Sequence, residues 1–482
     1  MMRIKKLSII LFIWMLSFHA FAITLSDLYF LAIKNDPTFN AAIKEQIAGK
    51  EYENIGLSQL LPSIHVNYQN NPRNWQRKVY PINTNQGEIE RTEYQNYQSH
   101  SVSAIISQPL FDYTAFSDYK SSIIKTLLSD SRYQVKFSEL VIRLVDNYIE
   151  LAYAQDKLLL NISQQEIYKK QLTSSQRLFE LGEGTITDIS EIQTRLYLTQ
   201  SQYTDIQLEL DNAKNKLSSM IGTPLPYAEH IAKLSNNSFI LQPITPNNYE
   251  SWENEVMQNN LNIQTARYEM AIAKQEVEKN RGEFFPTVQL YASYSNSDSD
   301  SNNTVNQKYQ SANVGFYVSL PLFNGGKTTA SMRQSTALYQ MSAFERDAII
   351  QQITQELRHQ YQICTTSNIK LNAYEQSVSS AKLQLDATQK SYIGGQRTMV
   401  DVLNAEELLY RSQQDLIKAK YDYIQAWALL HQYTNTLDIE KIKLIEGYFQ
   451  YRVDNFFDNI YEDNYKSPRS CVDIGLLIIS NR

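Results

Sequence analysis

From Asp112 to Leu181 the chain contains neither proline nor glycine. Apolar residues recur there at helical spacing, with Leu140, Leu144, Tyr148 and Leu151 beside Val141, Val145 and Ala152. A helix of roughly 70 residues is about 105 Å long at ~1.5 Å per residue, more than a compact domain can hold. Such a tract belongs in a coiled coil or a tube of helices. A second tract of the same kind runs from Thr328 to Tyr392. The constraint therefore applies twice, and one duplicated architecture is expected.

Each tract ends in a joint. Tyr392-Ile-Gly-Gly-Gln-Arg-Thr-Met-Val-Asp401 closes the second, and a weaker copy, Phe179-Glu-Leu-Gly-Glu-Gly-Thr-Ile-Thr-Asp188, lies about 213 residues upstream. In both, an aromatic stands three residues before a glycine, Gly182 or Gly395, and an aspartate six after it. Gly184 and Gly394 add a second glycine to each joint. A glycine and a short polar segment end one helix and let the next begin. Return helices are expected from about Asp188 to Ile221 and from about Val402 to Tyr433.

Upstream of each tract comes a helix and two strands. Thr24 to Leu61 reads as a helix, broken early at Asp36-Pro37 and stopped by Pro62. Its counterpart, Tyr249 to Phe285, stops at Pro286, 224 residues on. Strands at about 62–72 and 99–110 alternate, with Ile64, Val66 and Tyr68 on one face and Ser63, His65 and Asn67 on the other. Strands at about 286–296 and 311–322 repeat the pattern, and Pro109-Leu-Phe111 is echoed by Pro321-Leu-Phe323. The polar stretch Asn70 to Gln98, with Pro72, Pro81 and Gly87, reads as a long loop. The expected plan is a leader at 1–22, a first repeat at 23–221, an irregular connection at 222–248, a second repeat at 249–437 and a tail at 438–482. The tail has no counterpart in the first half, and its aromatics have no evident role in the repeat.

Arg3-Ile-Lys-Lys6, the apolar run Leu7 to Phe18 and Ala20-Phe-Ala22 form a secretory signal. Residue 23 is isoleucine, so no lipid is expected on a mature N-terminus. The formal charge of −6 becomes −9 without Arg3, Lys5 and Lys6, which excludes the basic footprint a nucleic-acid partner needs. Two cysteines, Cys364 and Cys471, do not suggest a disulfide framework. The 33 tyrosines suit a protein with interfacial aromatics, although Tyr68, Tyr291 and Tyr317 could equally be ordinary strand formers. Strands of about ten residues span a membrane when tilted, and one apolar and one polar face fit a barrel wall. Four strands cannot close, and open edges are not tolerated in lipid, so several chains would have to share a barrel.

With these features the chain resembles the TolC family of outer-membrane channel-tunnel proteins. The likeness runs from about residue 24 to 437, through the duplication, both Pro-Leu-Phe strand ends, Phe323-Asn-Gly-Gly-Lys327 and the motif from Tyr392 to Asp401. It implies a mixed α and transmembrane β fold. Three copies would form a 12-stranded outer-membrane barrel, continued by a long periplasmic α-helical barrel. It also implies a Gram-negative outer-membrane location with most of the mass in the periplasm. The function implied is a passive exit duct for efflux pumps or type I secretion. Partners would be a periplasmic adaptor (membrane fusion) protein and an inner-membrane pump of RND, ABC or MFS type.

The resemblance also assigns roles. Asp401 would form a charged ring at a closed periplasmic aperture. Tyr392 and Arg397 would constrain the joint by bonding Asp188 on the other hairpin, with Gln171 in a second link. Two positions depart from the family pattern: Asn404 stands where a second aspartate ring is expected, and Gln389 where a glutamate would partner Gln171. Plainer roles stay open. Asp188 could be a helix N-cap, Asp401 a solvated acid at a helix start, and Gly182, Gly184, Gly394 and Gly395 simple turn residues.

Enzyme chemistry finds no support. The six histidines are scattered, and there is neither HExxH nor a GxxxxGK[ST] loop. No cofactor or metal is expected. The alternative function is a periplasmic coiled-coil scaffold or adaptor.

Overall fold

The computed structural model describes residues 24–225, 233–234, 239–300 and 307–450. The leader at 1–22, Cys471 and the part of the tail beyond 450 lie outside the described residues. The chain divides into two units: one holds residues 1–44, 132–263 and 349–482, the other 45–131 and 264–348.

Helix α1 (Leu25–Asn35) starts in a capping box between Thr24 and Asp27 and stops at Asp36. Helix α2 (Pro37–Ser58) begins at the proline, whose missing N–H costs nothing there. The second repeat has the same break, though no proline marks it. Helix α5 (Tyr249–Asn259) and helix α6 (Leu261–Gly282) are separated by Asn260. Its side-chain oxygen accepts from the amides of Asn262 (3.0 Å) and Ile263 (3.1 Å), so Asn260 caps a new helix where one unbroken helix was expected.

The strand unit carries one antiparallel sheet in the order β1-β2-β4-β5, with β1 (Ser63–Thr84), β2 (Gly87–Phe111), β4 (Thr287–Ser299) and β5 (Gln307–Ser319). Register puts Ile64, Ile106, Ala292 and Val314 in one row, flanked by Val66, Ala104, Tyr294 and Ala312. Ser63, Ser107, Tyr291 and Gly315 form an opposite-facing row. Ile64, Val66, Val314, Phe316 and Val318 are all more than 60% exposed, an apolar face left open among the described residues. Among the described residues β1 and β5 are open edges.

The stretch from Asn70 to Gln98 is not a loop. β1 and β2 stay paired through it to Thr84 and Gly87, as a ribbon running past the last β4 pair at Ser99. Pro72 falls in the register shift between Asn71 and Asn74. β1 is an edge strand, where a missing donor is tolerated, so Pro81 breaks nothing either. In the same unit α2 packs closely on helix α3 (Tyr113–Glu180). A Cβ on Gly49 would stand 2.3 Å from the Cβ of Ser129, and one on Gly56 2.5 Å from that of Ser122.

The helical unit is built on α3, helix α4 (Ile186–Ile221), helix α7 (Lys327–Ile393) and helix α8 (Met399–Tyr433), with only the distal parts of α3 and α7 included. Its core joins Leu25, Leu28, Leu144, Tyr148, Leu217, Ile424 and Trp427. The start of the tail belongs to this core. Helix α9 (Ile439–Glu446) buries Ile442 and Ile445, and the two-residue strands β3 (Lys233–Leu234) and β6 (Phe449–Gln450) pair. Phe449 packs edge-on against Tyr148 at 5.0 Å, so the first tail aromatics are core residues. Among the described residues no helix is long and apolar enough to cross a membrane.

Candidate functional site at the helix joints

Both joints are built alike. α3 ends at Glu180 and Gly182 follows with φ 78°; α7 ends at Ile393 and Gly395 follows with φ 74°. These left-handed turns suit glycine, and the second glycines Gly184 and Gly394 keep negative φ. The return helices begin two and three residues earlier than expected, at Ile186 and Met399. Thr185 is the N-cap of α4, accepting from the Asp188 amide at 3.1 Å, so Asp188 is not itself the cap. Thr398 caps α8 in the same way and forms a full capping box with Asp401. Hydrogen bonds from the Thr398 backbone and hydroxyl, with Arg397 nearby, hold the exposed Asp401 carboxyl below its ordinary range.

The predicted constraining residues fall into two groups. Arg397 lies 3.9 Å from Asp401 of its own hairpin, and Asp188 binds Thr185 of its own helix start. Tyr392 sits close enough to Asp188 for that carboxylate, after burial, to raise its phenol. Tyr392 also packs on a small apolar cluster of Tyr168, Ile192, Leu196, Met399, Val402 and Leu403, which draws on α3, α4 and α8.

Near the joints, among the described residues, two polar contacts join the hairpins. Arg195 on α4 donates to Asn404 at 3.0 Å and to Glu407, both on α8, while its Nε reaches Glu191 of its own helix at 3.2 Å. Asn404, expected as a variant position in a charge ring, therefore accepts a bond from the opposite hairpin. The second contact is Gln171 on α3, whose amide donates to Glu406 on α8. Glu406 is 3% exposed, and burial raises its carboxyl to about 7. The amides of Gln171 and Gln389 oppose that rise, although of the two only Gln171 meets full hydrogen-bond geometry. Gln171 and Gln389 are thus brought together around a third residue. Neither Arg195 nor Glu406 was singled out from sequence. Each is an ordinary charged residue of a long amphipathic helix, and their partners are 209 and 235 positions away. The one available signal was that Glu406 occupies an apolar position of α8, one turn after Val402 and Leu403.

Among the described residues no group of three or more histidine, cysteine, aspartate or glutamate side chains could hold a metal ion. Cys364 is buried and free, and burial pushes its thiol up to about 12.

Comparison with known proteins places this architecture. The family model described as "Outer membrane efflux protein" matches residues 28–223 and 252–436, one segment in each repeat. The alkaline protease secretion protein AprF of Pseudomonas aeruginosa is 38% identical over 91% of this chain and 90% of its own. The proteases secretion protein PrtF of Dickeya chrysanthemi is 34% identical over 89% and 92%. The crystal structure of the outer membrane protein VceC from Vibrio cholerae superposes with a TM-score of 0.70 over 86% of this chain and 97% of that one, at 16% identity, and so shares the fold. The chain belongs to the outer membrane efflux protein family, the TolC family.

Proposed function

We propose that three copies of this chain form one outer-membrane duct through which a type I secretion system exports protein. The carrying observation is the sheet: an uncovered apolar face, a polar opposite face and two open edges. Four strands per chain, shared among three chains, would close a twelve-stranded barrel with lipid outside and water inside. Export of protein is favoured over small-molecule efflux because AprF and PrtF, both named for protease secretion, align over nine-tenths of the chain. The duct is passive: a periplasmic adaptor and an inner-membrane pump supply cargo and energy. The joints form the periplasmic gate, with Asp401 at the aperture and Tyr392, Arg397 and Asp188 restraining it.

Detergent-purified protein should have three times the mass of one mature chain and form pores in planar bilayers. Monomers without pore activity, or recovery from the soluble periplasm, would return the reading to a coiled-coil scaffold. Deleting the gene should abolish secretion of a protein substrate. Intact secretion with lost drug resistance would instead assign the duct to efflux. Arg397→Ala or Asp188→Ala should raise single-channel conductance, and unchanged conductance in both would sink the restraint assigned to them.

A further inference from the structure

Glu406 is a carboxyl in an unusual position. It sits among Val402, Leu403 and the Tyr168 cluster, on a helix that packs against the opposite hairpin. Its Oε1 accepts from the Nε2 of Gln171. Two oxygens remain buried without a partner: Oε2 of Glu406 and Oε1 of Gln171. These are the two atoms that a carboxylic acid and a primary amide join in the second bond of a cyclic pair. An ionised carboxylate has no proton to offer, so it leaves Oε1 of Gln171 unpaired in a dry site, and beyond Gln171 it has only the approach of the Gln389 amide to offset burial. Protonation of Glu406 supplies the hydrogen that a second bond, from Oε2 to Oε1 of Gln171, requires.

We propose that Gln171 and Glu406 form a proton-operated tie between the two hairpins, closed when Glu406 takes a proton from solvent and weakened when it gives one up. The tie deepens the gate reading and rests on it. The titratable groups nearest on the packed elements are Tyr168 on α3, Asp188, Glu191 and Arg195 on α4, Asp386, Lys390 and Tyr392 on α7, and Glu407, Tyr410 and Arg411 on α8. Arg195 is committed to Glu191 and Glu407, Arg411 to Glu407, and Lys390 to Asp386 at 2.6 Å. Tyr168 feels Glu406, and its own phenol is raised chiefly by burial. None of these cations is the partner of Glu406, whose shift comes from burial.

A carboxyl whose value is raised in the closed tip binds its proton more tightly there than in an opened, wetted one. The tie is therefore at full strength below the ordinary carboxyl value of 4.5, weakens as pH rises, and is lost beyond about 7. Each pH unit within that window changes the balance by at most about tenfold.

The test is amide hydrogen exchange of the purified full-length protein between pH 5.5 and 8. Segments 165–200 and 385–411 are compared with 140–152 of the same molecule, which removes the intrinsic pH dependence of exchange. In the wild type, relative protection of the tip should fall by roughly tenfold or more across this range. Glu406→Gln keeps the ring at every pH and should give a flat profile, and Glu406→Leu should be flat without the ring. A wild-type profile with no step, or a step that survives in both variants, overturns the tie. Single-channel conductance is recorded over the same range. An exchange step with no change in conductance supports the tie and removes the hairpins as the gate. A conductance increase in Arg397→Ala, with the pH step retained in Glu406→Gln, supports the gate and removes the tie.

Discussion

Thr398 shows how one side chain sets a local charge. Its hydroxyl accepts from the Asp401 amide at 3.3 Å, while the Asp401 carboxylate accepts from the Thr398 amide and hydroxyl, both at 2.9 Å. Thr398→Ala should cost about 1 kcal/mol, fray the first turn of α8 and let the Asp401 pKa rise toward its ordinary value. Thermal unfolding and carboxyl titration by NMR would measure these changes. Asp401 was legible as a helix-start acid because a capping box is a local pattern. Arg195 was not, because nothing beside it in the chain identifies Asn404 and Glu407 as its partners. Arg195→Ala should strip α8 of two acceptor contacts and accelerate exchange at 399–411, while Arg195→Lys, which lacks the fork, should keep only part of the protection. Cys364 should resist alkylation up to pH 9 in the folded protein, since burial holds the thiol protonated. Rapid labelling without denaturant would show that α7 opens there.

At the level of elements, close helix approach and strand extension were the features hardest to anticipate. Gly49 and Gly56 stand in a helix, where glycine is a poor former, and their use is apparent only with Ser129 and Ser122 opposite. Gly49→Val should destabilise the strand unit by about 1–3 kcal/mol through overpacking. Adding Ser129→Gly should restore part of the loss, as a double-mutant cycle on thermal stability would reveal. The ribbon beyond Ser99 is not legible as strand because both of its faces mix apolar residues such as Trp75, Val79, Ile82 and Ile89 with charged and polar ones, which erases the alternation that marks a half-buried strand. Its strand pairing, among the described residues, is between β1 and β2 alone, with hydrogen bonds between Asp300 and both Gln95 and Gln98 at its base, and the four-stranded register from Ser63 to Gln69 does not depend on it. Replacing residues 73–97 by a two-residue turn should therefore leave membrane insertion and oligomer formation intact, as judged by heat-modifiable migration on gels.

For the whole molecule, the duplication carried most of the fold, since proline stops, glycine joints and strand pairs recur in the same order. The structure extends the match to single bonds. Asn35 donates to the Ile221 carbonyl at 2.7 Å, and Asn260 to the Tyr433 carbonyl at 2.9 Å, each tying a short first helix to the end of a return helix. The tail broke the symmetry and so could not be read from the repeat. Ile442 and Ile445 are fully buried, and the Ser26 amide donates to Glu446 at 2.9 Å. Ile442→Ala should cost about 2–5 kcal/mol, and truncation after Leu437 should leave a protein that unfolds at markedly lower temperature, measured by circular dichroism. The Arg195–Asn404 bond reaches further, into how such a channel can evolve. The change Asn404→Asp would place a carboxylate against a guanidinium already in position, so the new charge would be neutralised within its own chain. A second acidic ring would need Arg195 changed first, and the order of the two substitutions decides whether the intermediate gains charge at the aperture or merely a stronger clasp.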